Sequence, residues 1–559
     1  MKLNKIFNTL SIAAVALFAT ACQDTDAQYS IPQVGAPEYV SITPASGALV
    51  YGAKTITVTF DKNINFMTKN TSQITLNGVP VKKALVLGAS NTLTISVDVD
   101  FNKTQKLVIP AGLITGPQGD PYNEEISMTW TITDLPSNTA TELTKKLGWG
   151  WNLGNHFDTS DMTYGYWDGV ESADVAPFTS LVAAGAKTVR IPATWTNHIK
   201  EGTGISDDAP LEWKDADYLD EVAGVVDKAL AAGLNVILNT HHDSFEKHIA
   251  IAATNPVQAK EDSTLISQLW TAIATKFKDY DADKLIFETF NEVHGAAFND
   301  DGSVASEDWS TGSDAQFALL NKWHQYAVDA IRKTGGNNAS RWIAVSGYAA
   351  SIDKTVNYLE LPKKLNSETE TDDRIIVAAH SYDPGGFAQS PYDAKADSLK
   401  VYTWGHNARN GYSISGANED YIINLLYQLR TKFIEKGIPC YLGEYGCVYV
   451  DPTKPKNNEE AADAYKKFNT FRKYYLEYFC KCANLAGIPM FYWDNMVMDN
   501  TQGTSDGKPY IPECFGLLDH ASGDFLGDAA DIVPMMIKAC TDDSYSDFPT
   551  IWNNSPAAE

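Results

Sequence analysis

The chain has 559 residues, enough for two or three domains rather than a single core. Lys+Arg 44 against Asp+Glu 70 leaves a net charge of −26, which excludes nucleic acid and anionic membrane surfaces as partners held by charge. With 44% hydrophobic and 20% charged residues, disorder is excluded as the general state of the chain.

Residues 1–22, MKLNKIFNTLSIAAVALFATAC, open with two lysines, continue in an apolar run and end in small residues before Cys22. This is a signal-peptide pattern, too short for a permanent membrane span. Residues 1–21 are therefore expected to be removed. Cys22, directly after Ala-Thr-Ala, resembles the lipidated cysteine of bacterial lipoproteins. Polar residues 22–36 then read as a lipid-anchored linker, and QDTDAQ resembles the acidic stretch that accompanies surface display in some Gram-negative lipoproteins. The resemblance implies an exported outer-membrane lipoprotein exposed at the cell surface, touching the membrane only through its anchor.

Residues 37–135 carry a β pattern. Thr55–Phe60, Leu93–Val99 and Met128–Ile132 alternate polar and apolar side chains, and Pro44 with Gly47, Asn77-Gly78 and Gly116-Pro-Gln-Gly119 supply turns. Short strands with one apolar face predict a small all-β sandwich, and the stretch resembles bacterial immunoglobulin-like modules. Without an acidic or aromatic cluster, it reads as a spacer.

Residues 140–545 follow a different grammar. Leu219, Val222, Val225, Val226, Ala229 and Leu230 keep helical spacing, Gly233 stops the helix, and Val236-Ile237-Leu238 follows as a strand. The same order recurs at Gly185, Gly437 and Gly487, before Val189–Ile191, Tyr441-Leu442 and Met490–Tyr492. With Leu147–Asn152, Leu285–Phe290, Trp342–Val345 and Ile375–Ala379 this makes eight strands, and alternation in that number predicts an α/β fold, a (β/α)8 TIM barrel. A doubly wound sheet would need a glycine-rich phosphate loop, but Gly148-Trp-Gly-Trp-Asn-Leu-Gly154 has bulky residues there.

Functional side chains of a barrel sit at the carboxyl ends of its strands. Those ends are polar throughout: Asn152 to Asn155, Arg190, His241-His242-Asp243, Asn291-Glu292, His380-Ser-Tyr382, Gly443-Glu444-Tyr445 and Trp493-Asp494-Asn495. Glu292 and Glu444 end the fourth and seventh strands, which a barrel places across one cleft. Paired carboxyls about 5–5.5 Å apart can cleave a glycosidic bond with retention.

VRIPATW, LNTHHD, FETFNEVHG, AHSYD, LGEYG and FYWDN, in this order, resemble the motifs of glycoside hydrolase family 5. GWNLGN, Trp404-Gly405 and FYWDN are most similar to its subfamily 4 of endoglucanases and xyloglucanases. Residue by residue, the resemblance implies Glu292 as general acid/base and Glu444 as nucleophile. Arg190 would keep Glu444 ionised, Asn291 would bond the sugar 2-hydroxyl, and Tyr382 would orient Glu444. His380 would support the acid/base, His241 would line the subsite of the cleaved bond, and Trp493 would stack on a sugar. Asn155, Trp404 and Trp195 are further candidates.

The resemblance implies a monomeric, retaining endo-β-1,4-glucanase acting on cellulose, mixed-linkage glucan or xyloglucan, its cleft built by the loops 299–314 and 383–415. Mannan or xylan hydrolysis is the alternative, and a non-catalytic glycan-binding lipoprotein is the rival from another class. No cofactor and no metal are expected: adjacent strand residues point to opposite faces, so His241 and His242 should not share an ion. A serine hydrolase fits poorly, since no Gly-x-Ser-x-Gly nucleophile elbow between a strand and a helix is present. Cys440, Cys447, Cys480, Cys482, Cys514 and Cys540 lack histidines at ligand spacing and are expected to be structural or free thiols.

Overall fold

The computed structural model describes residues 33–44, 49, 52–100, 104–160, 166–170, 175–299, 303–395, 397–453, 459–505 and 508–558. The signal-peptide segment and Cys22 lie outside the described residues. The chain divides into two compact units, one running to Thr131 and the other from Ile132 onward. No helix among the described residues is long and apolar enough to cross a membrane.

The first unit is an antiparallel sandwich. One sheet joins Tyr39–Thr43, Gly52–Phe60, Thr92–Val99 and Lys83–Leu85; the other joins Ile126–Thr131, Thr104–Ile109, Thr75–Leu76 and Val79–Pro80. Alternation along these strands sends Ile56, Val58, Leu93, Ile95, Leu107, Ile109 and Trp130 into the core between the sheets. Asn77-Gly78 joins two of them as a two-residue turn with both φ values positive, the backbone such a hairpin demands.

The second unit is a closed barrel of eight parallel strands. They are β1 (Gly150–Leu153), β2 (Thr188–Ile191), β3 (Asn235–Asn239), β4 (Leu285–Glu288), β5 (Ile343–Ser351), β6 (Ile375–Ser381), β7 (Cys440–Tyr445) and β8 (Met490–Asp494). Each pairs with the next in sequence, and β1 pairs with β8 through Gly150 and Phe491. Strands covered by helices outside and side chains inside are apolar on both faces, which is why they stand out as continuous runs. Leu147, Ile237, Ile286, Ala344, Ile376, Tyr441 and Phe491 pack at the barrel's centre.

The helix–glycine–strand junctions have one cause. The helix Ala176–Ala184 ends on Gly185 at φ 105°, whose N–H bonds the carbonyls of Leu181 and Val182. Gly233, Gly437 and Gly487 also have positive φ before their strands. That left-handed stop turns the chain back toward the sheet at little steric cost. All six cysteines of the barrel unit are buried, and Cys440, Cys447, Cys480, Cys482 and Cys540 are free thiols.

Candidate active site

At the carboxyl ends of the strands, β7 presents Glu444 and the turn after β4 presents Glu292. Oxygens of these two carboxylates and a ring nitrogen of His380 lie within 4.8 Å of one another. His380 Nδ1 is within hydrogen-bond distance of Glu292 Oε1 at 2.7 Å and lies 3.7 Å from Glu444 Oε2. Burial lowers the pKa of His380, but the charges of Glu444 and Glu292 outweigh it and hold the imidazole above its ordinary value. β7 leaves room for this ring only because residue 443 is glycine: a Cβ there would lie 2.8 Å from His380 Nε2.

Glu444 is held from both sides. Arg190 Nη1 donates to its Oε1 at 2.8 Å and the Tyr382 hydroxyl to its Oε2 at 2.9 Å. These charge-assisted bonds fix the position of the carboxylate. Arg190 itself is fully buried beneath the cleft. Its Nη1 also donates to Asn152 Oδ1, its Nη2 to Asn291 Oδ1 at 2.7 Å, and its Nε and Nη2 to Glu288. With every donor occupied, Arg190 anchors the site from below.

Glu288, on β4, is absent from the sequence-based set. It accepts from Arg190, from Asn239 Nδ2 at 3.1 Å and from the hydroxyl of Tyr441. A glutamate inside the apolar run LIFE requires a buried cation, and Arg190, two strands away on β2, is the one it meets; that was the signal.

His241 is buried after β3, and Trp493 lies parallel to it with ring centroids 5.7 Å apart. Burial, reinforced by the neighbouring His242, Arg190 and His380, keeps His241 well below the usual imidazole pKa and thus neutral. The Trp493 ring closes over Gly154, where a Cβ would meet the indole at 3.0 Å and the Asp494 carbonyl at 2.4 Å. Asn155 takes a positive φ and donates from Nδ2 to the Asn495 carbonyl at 3.3 Å, tying the loop after β1 to that after β8.

Two expectations fail on geometry. Trp404 is buried, donates Nε1–H to the Ala417 carbonyl and packs against Tyr474, Tyr475 and Tyr478, so it belongs to the outer core and not to the cleft. Trp195 is likewise core, its Nε1 donating to the Asn239 carbonyl. The argument separating His241 from His242 also fails. β3 ends at Asn239, so strand alternation no longer applies; the two rings lie 4.4 Å apart, and ligand-type atoms of both and of Asp158 fall within 4.8 Å of one another.

A buried ionic chain, also unseen in the sequence, joins the loops after β1 and β8. His156 Nδ1 and His520 Nδ1 both reach Asp168 Oδ2, at 2.8 and 2.9 Å. His520 Nε2 lies 3.6 Å from Asp494 Oδ1, and Asp494 also accepts from Trp151 Nε1 at 2.8 Å. Burial opposes charge on His520, yet its bonds to Asp168 and Asp494 push its pKa up to about 9. Beside Glu292, burial raises Glu513 to about 7.

The arrangement can donate a proton from one carboxyl and attack with another across a short gap. Comparison with known proteins agrees. Residues 154–499 match the model of cellulase, glycosyl hydrolase family 5, and residues 33–133 match a bacterial Ig-like domain. Endoglucanase A of Clostridium longisporum is 32% identical over 69% of this chain, and the chain spans 63% of that relative's length. A Bacteroidetes-affiliated GH5 cellulase linked with a polysaccharide utilization locus superposes with TM-score 0.60 at 29% identity, covering 75% of this chain and 98% of its own. A GH5-4 broad specificity endoglucanase from Bacteroides salanitronis gives 0.58 at 33%, covering 73% and 97%. The chain belongs to glycoside hydrolase family 5, and its second unit is an endoglucanase-type hydrolase barrel.

Proposed function

We propose that the protein is a retaining endo-β-1,4-glucanase working by double displacement, with Glu292 as acid/base and Glu444 as nucleophile. The observation that carries this is the separation of the two carboxylates, with oxygens within 4.8 Å. That spacing suits direct attack on the anomeric carbon, whereas an inverting pair stands about 6.5–9.5 Å apart to admit a water. Glu292 protonates the leaving oxygen while Glu444, held by Arg190 and Tyr382, forms the glycosyl ester. Glycosylation removes the charge of Glu444, and Glu292 then takes a proton from the water that releases the sugar. Asn291, oriented by Arg190, supports the sugar 2-hydroxyl, and Trp493 over His241 offers an aromatic face to the ring.

Subfamily resemblance and the broad-specificity relative favour cellulose derivatives, mixed-linkage glucan and xyloglucan as substrates, with mannan or xylan the alternative. Reducing-sugar release from carboxymethylcellulose, barley glucan, xyloglucan, mannan and xylan tests this, with Glu444→Ala as control. Release from the three glucans is expected. Release from mannan alone would overturn the substrate while keeping the mechanism, and no release from any would overturn the enzyme reading.

We also propose that Cys22 carries a lipid anchor displaying the enzyme at the cell surface, with residues 37–135 as spacer and the chain a monomer. The Cys22 context and the Ig-like match at residues 33–133 support this. Cys22→Ala should move the protein from the membrane fraction to the soluble one; an unmoved protein would contradict the anchor.

A further inference from the structure

Two hairpins at the carboxyl end of the barrel enclose a recess that the catalytic pair does not use. In the loop after β6, Tyr392-Asp393 pairs with Ser398-Leu399; after β8, Gly503–Ser505 pairs with Lys508–Tyr510. Side chains tie one hairpin to the other. Asn500 Nδ2 donates to the Tyr392 hydroxyl at 3.1 Å, and Gln502 Nε2 donates to the Ala394 carbonyl. The recess between them measures about 500 Å³ and is lined by Lys395, Lys400 and Lys508. Ligand pockets begin at about 300 Å³, so this space admits a sugar unit with its substituents.

The charge of the recess runs against that of the chain. At −26 the protein as a whole repels polyanions. Here three exposed ammonium groups line one hollow, and none of them makes an ion pair among the described residues. Asp393 also lines it, its carboxylate accepting the Lys395 N–H at 3.0 Å within its own turn. Gathered like charges repel one another, and an anion held among them relieves the repulsion. The position of the recess decides which anion. Glu513 follows the second hairpin, lies beside Glu292 and accepts from Gln389 Nε2 at 3.5 Å, just ahead of the first hairpin. The recess therefore borders the cleft that takes the polysaccharide, and the anion within its reach is one carried by that chain. Lysine meets a carboxylate as a point charge, without the fixed two-pronged geometry of arginine, which suits a substituent whose position along a polymer varies.

We propose that this recess binds a carboxylate carried by the polysaccharide chain, on an acidic sugar unit or an acidic substituent. The proposal rests on the glucanase reading above. For the full-length protein, kcat/KM is measured on carboxymethylcellulose and on neutral hydroxyethylcellulose, which share one backbone. The recess variant combines Lys395→Gln, Lys400→Gln and Lys508→Gln. A control combines Lys187→Gln, Lys278→Gln and Lys436→Gln, exposed lysines in the segments leading into β2, β4 and β7, and changes the net charge equally. The ratio of carboxymethylcellulose to hydroxyethylcellulose should fall about threefold to tenfold in the recess variant and hold in the control. The fall should vanish at about 1 M salt, where the Debye length is about 3 Å. An unchanged ratio, an equal fall in the control, or a fall that persists in high salt overturns the proposal. Calorimetric binding of inorganic phosphate that the recess variant loses, with the ratio unchanged, would assign a free anion and overturn it too. A folding defect would lower both rates together and leave the ratio alone. If the unmodified protein cuts neither polymer, the glucanase reading fails, a result visible without any variant.

Discussion

Each side chain around the nucleophile has a second obligation. Tyr382 and Arg190 hold Glu444 in one rotamer, and Arg190 is in turn held by Glu288. Glu444→Gln keeps the shape and both neighbours but cannot form the glycosyl ester. Turnover should fall by about 10⁴-fold or more while oligosaccharide binding by calorimetry persists; retained turnover would remove Glu444 from its role. Glu288→Ala instead leaves a buried guanidinium without its bidentate partner. A loss of about 3–5 kcal/mol in unfolding free energy is expected from denaturant titration, and an unaltered midpoint would show that Arg190 needs only Glu444. Glu292→Ala should lose activity on glycosides with poor leaving groups and recover with azide where the leaving group is good, because proton transfer alone is missing. Failure of azide to act would point to a structural role for Glu292.

Loops after β1 and β8 are clamped by His156, Asp168, His520 and Asp494, and this clamp titrates. His520 is raised from 6.5 to about 9 in the folded state. Its stabilisation is therefore complete below pH 6.5 and is lost as pH rises through about 9, an effect of about 3 kcal/mol at most. Asp168 is lowered to about 2, burial being outweighed by its bonds to His156 and His520, so its contribution survives until pH falls below about 4. Melting temperature should drop between pH 7 and 9, and His520→Gln should flatten that slope while lowering stability at pH 6. An identical slope in the variant would sever the clamp from the pH response. Apart from Asp494 at its strand end, this chain was not legible in the sequence, because Asp168 and His520 sit in loops 352 residues apart and neither interrupts a periodic run. The eight strands were legible for the opposite reason: burial on both faces writes each as an apolar run, and the polar residue that ends it lands at the cleft. Trp404 was misplaced because a motif resemblance does not say which way a ring turns.

At the scale of the molecule, the boundary between the two units is sharper than the turn pattern suggested. Residues 133–135 already belong to the barrel unit: Arg430 Nη2 donates to the Thr133 carbonyl at 2.6 Å and to the Asp134 carbonyl at 3.3 Å, and Leu135 packs where a side chain at Gly487 would otherwise stand. A chain beginning at residue 132 should hydrolyse soluble β-glucan at the full rate, as a spacer role for the sandwich requires. One beginning at residue 137 strips Nη2 of the buried Arg430 of its acceptors and should melt several degrees lower. Equal melting of the two truncations would refute that boundary. The central claim concerns the carboxylate pair and is tested by the stereochemistry of cleavage. Proton NMR of the first product released from a cello-oligosaccharide should show the β-anomer of the new reducing end before mutarotation, as two displacements across the short gap between Glu292 and Glu444 require. The α-anomer appearing first would mean a single displacement by water and would contradict the account.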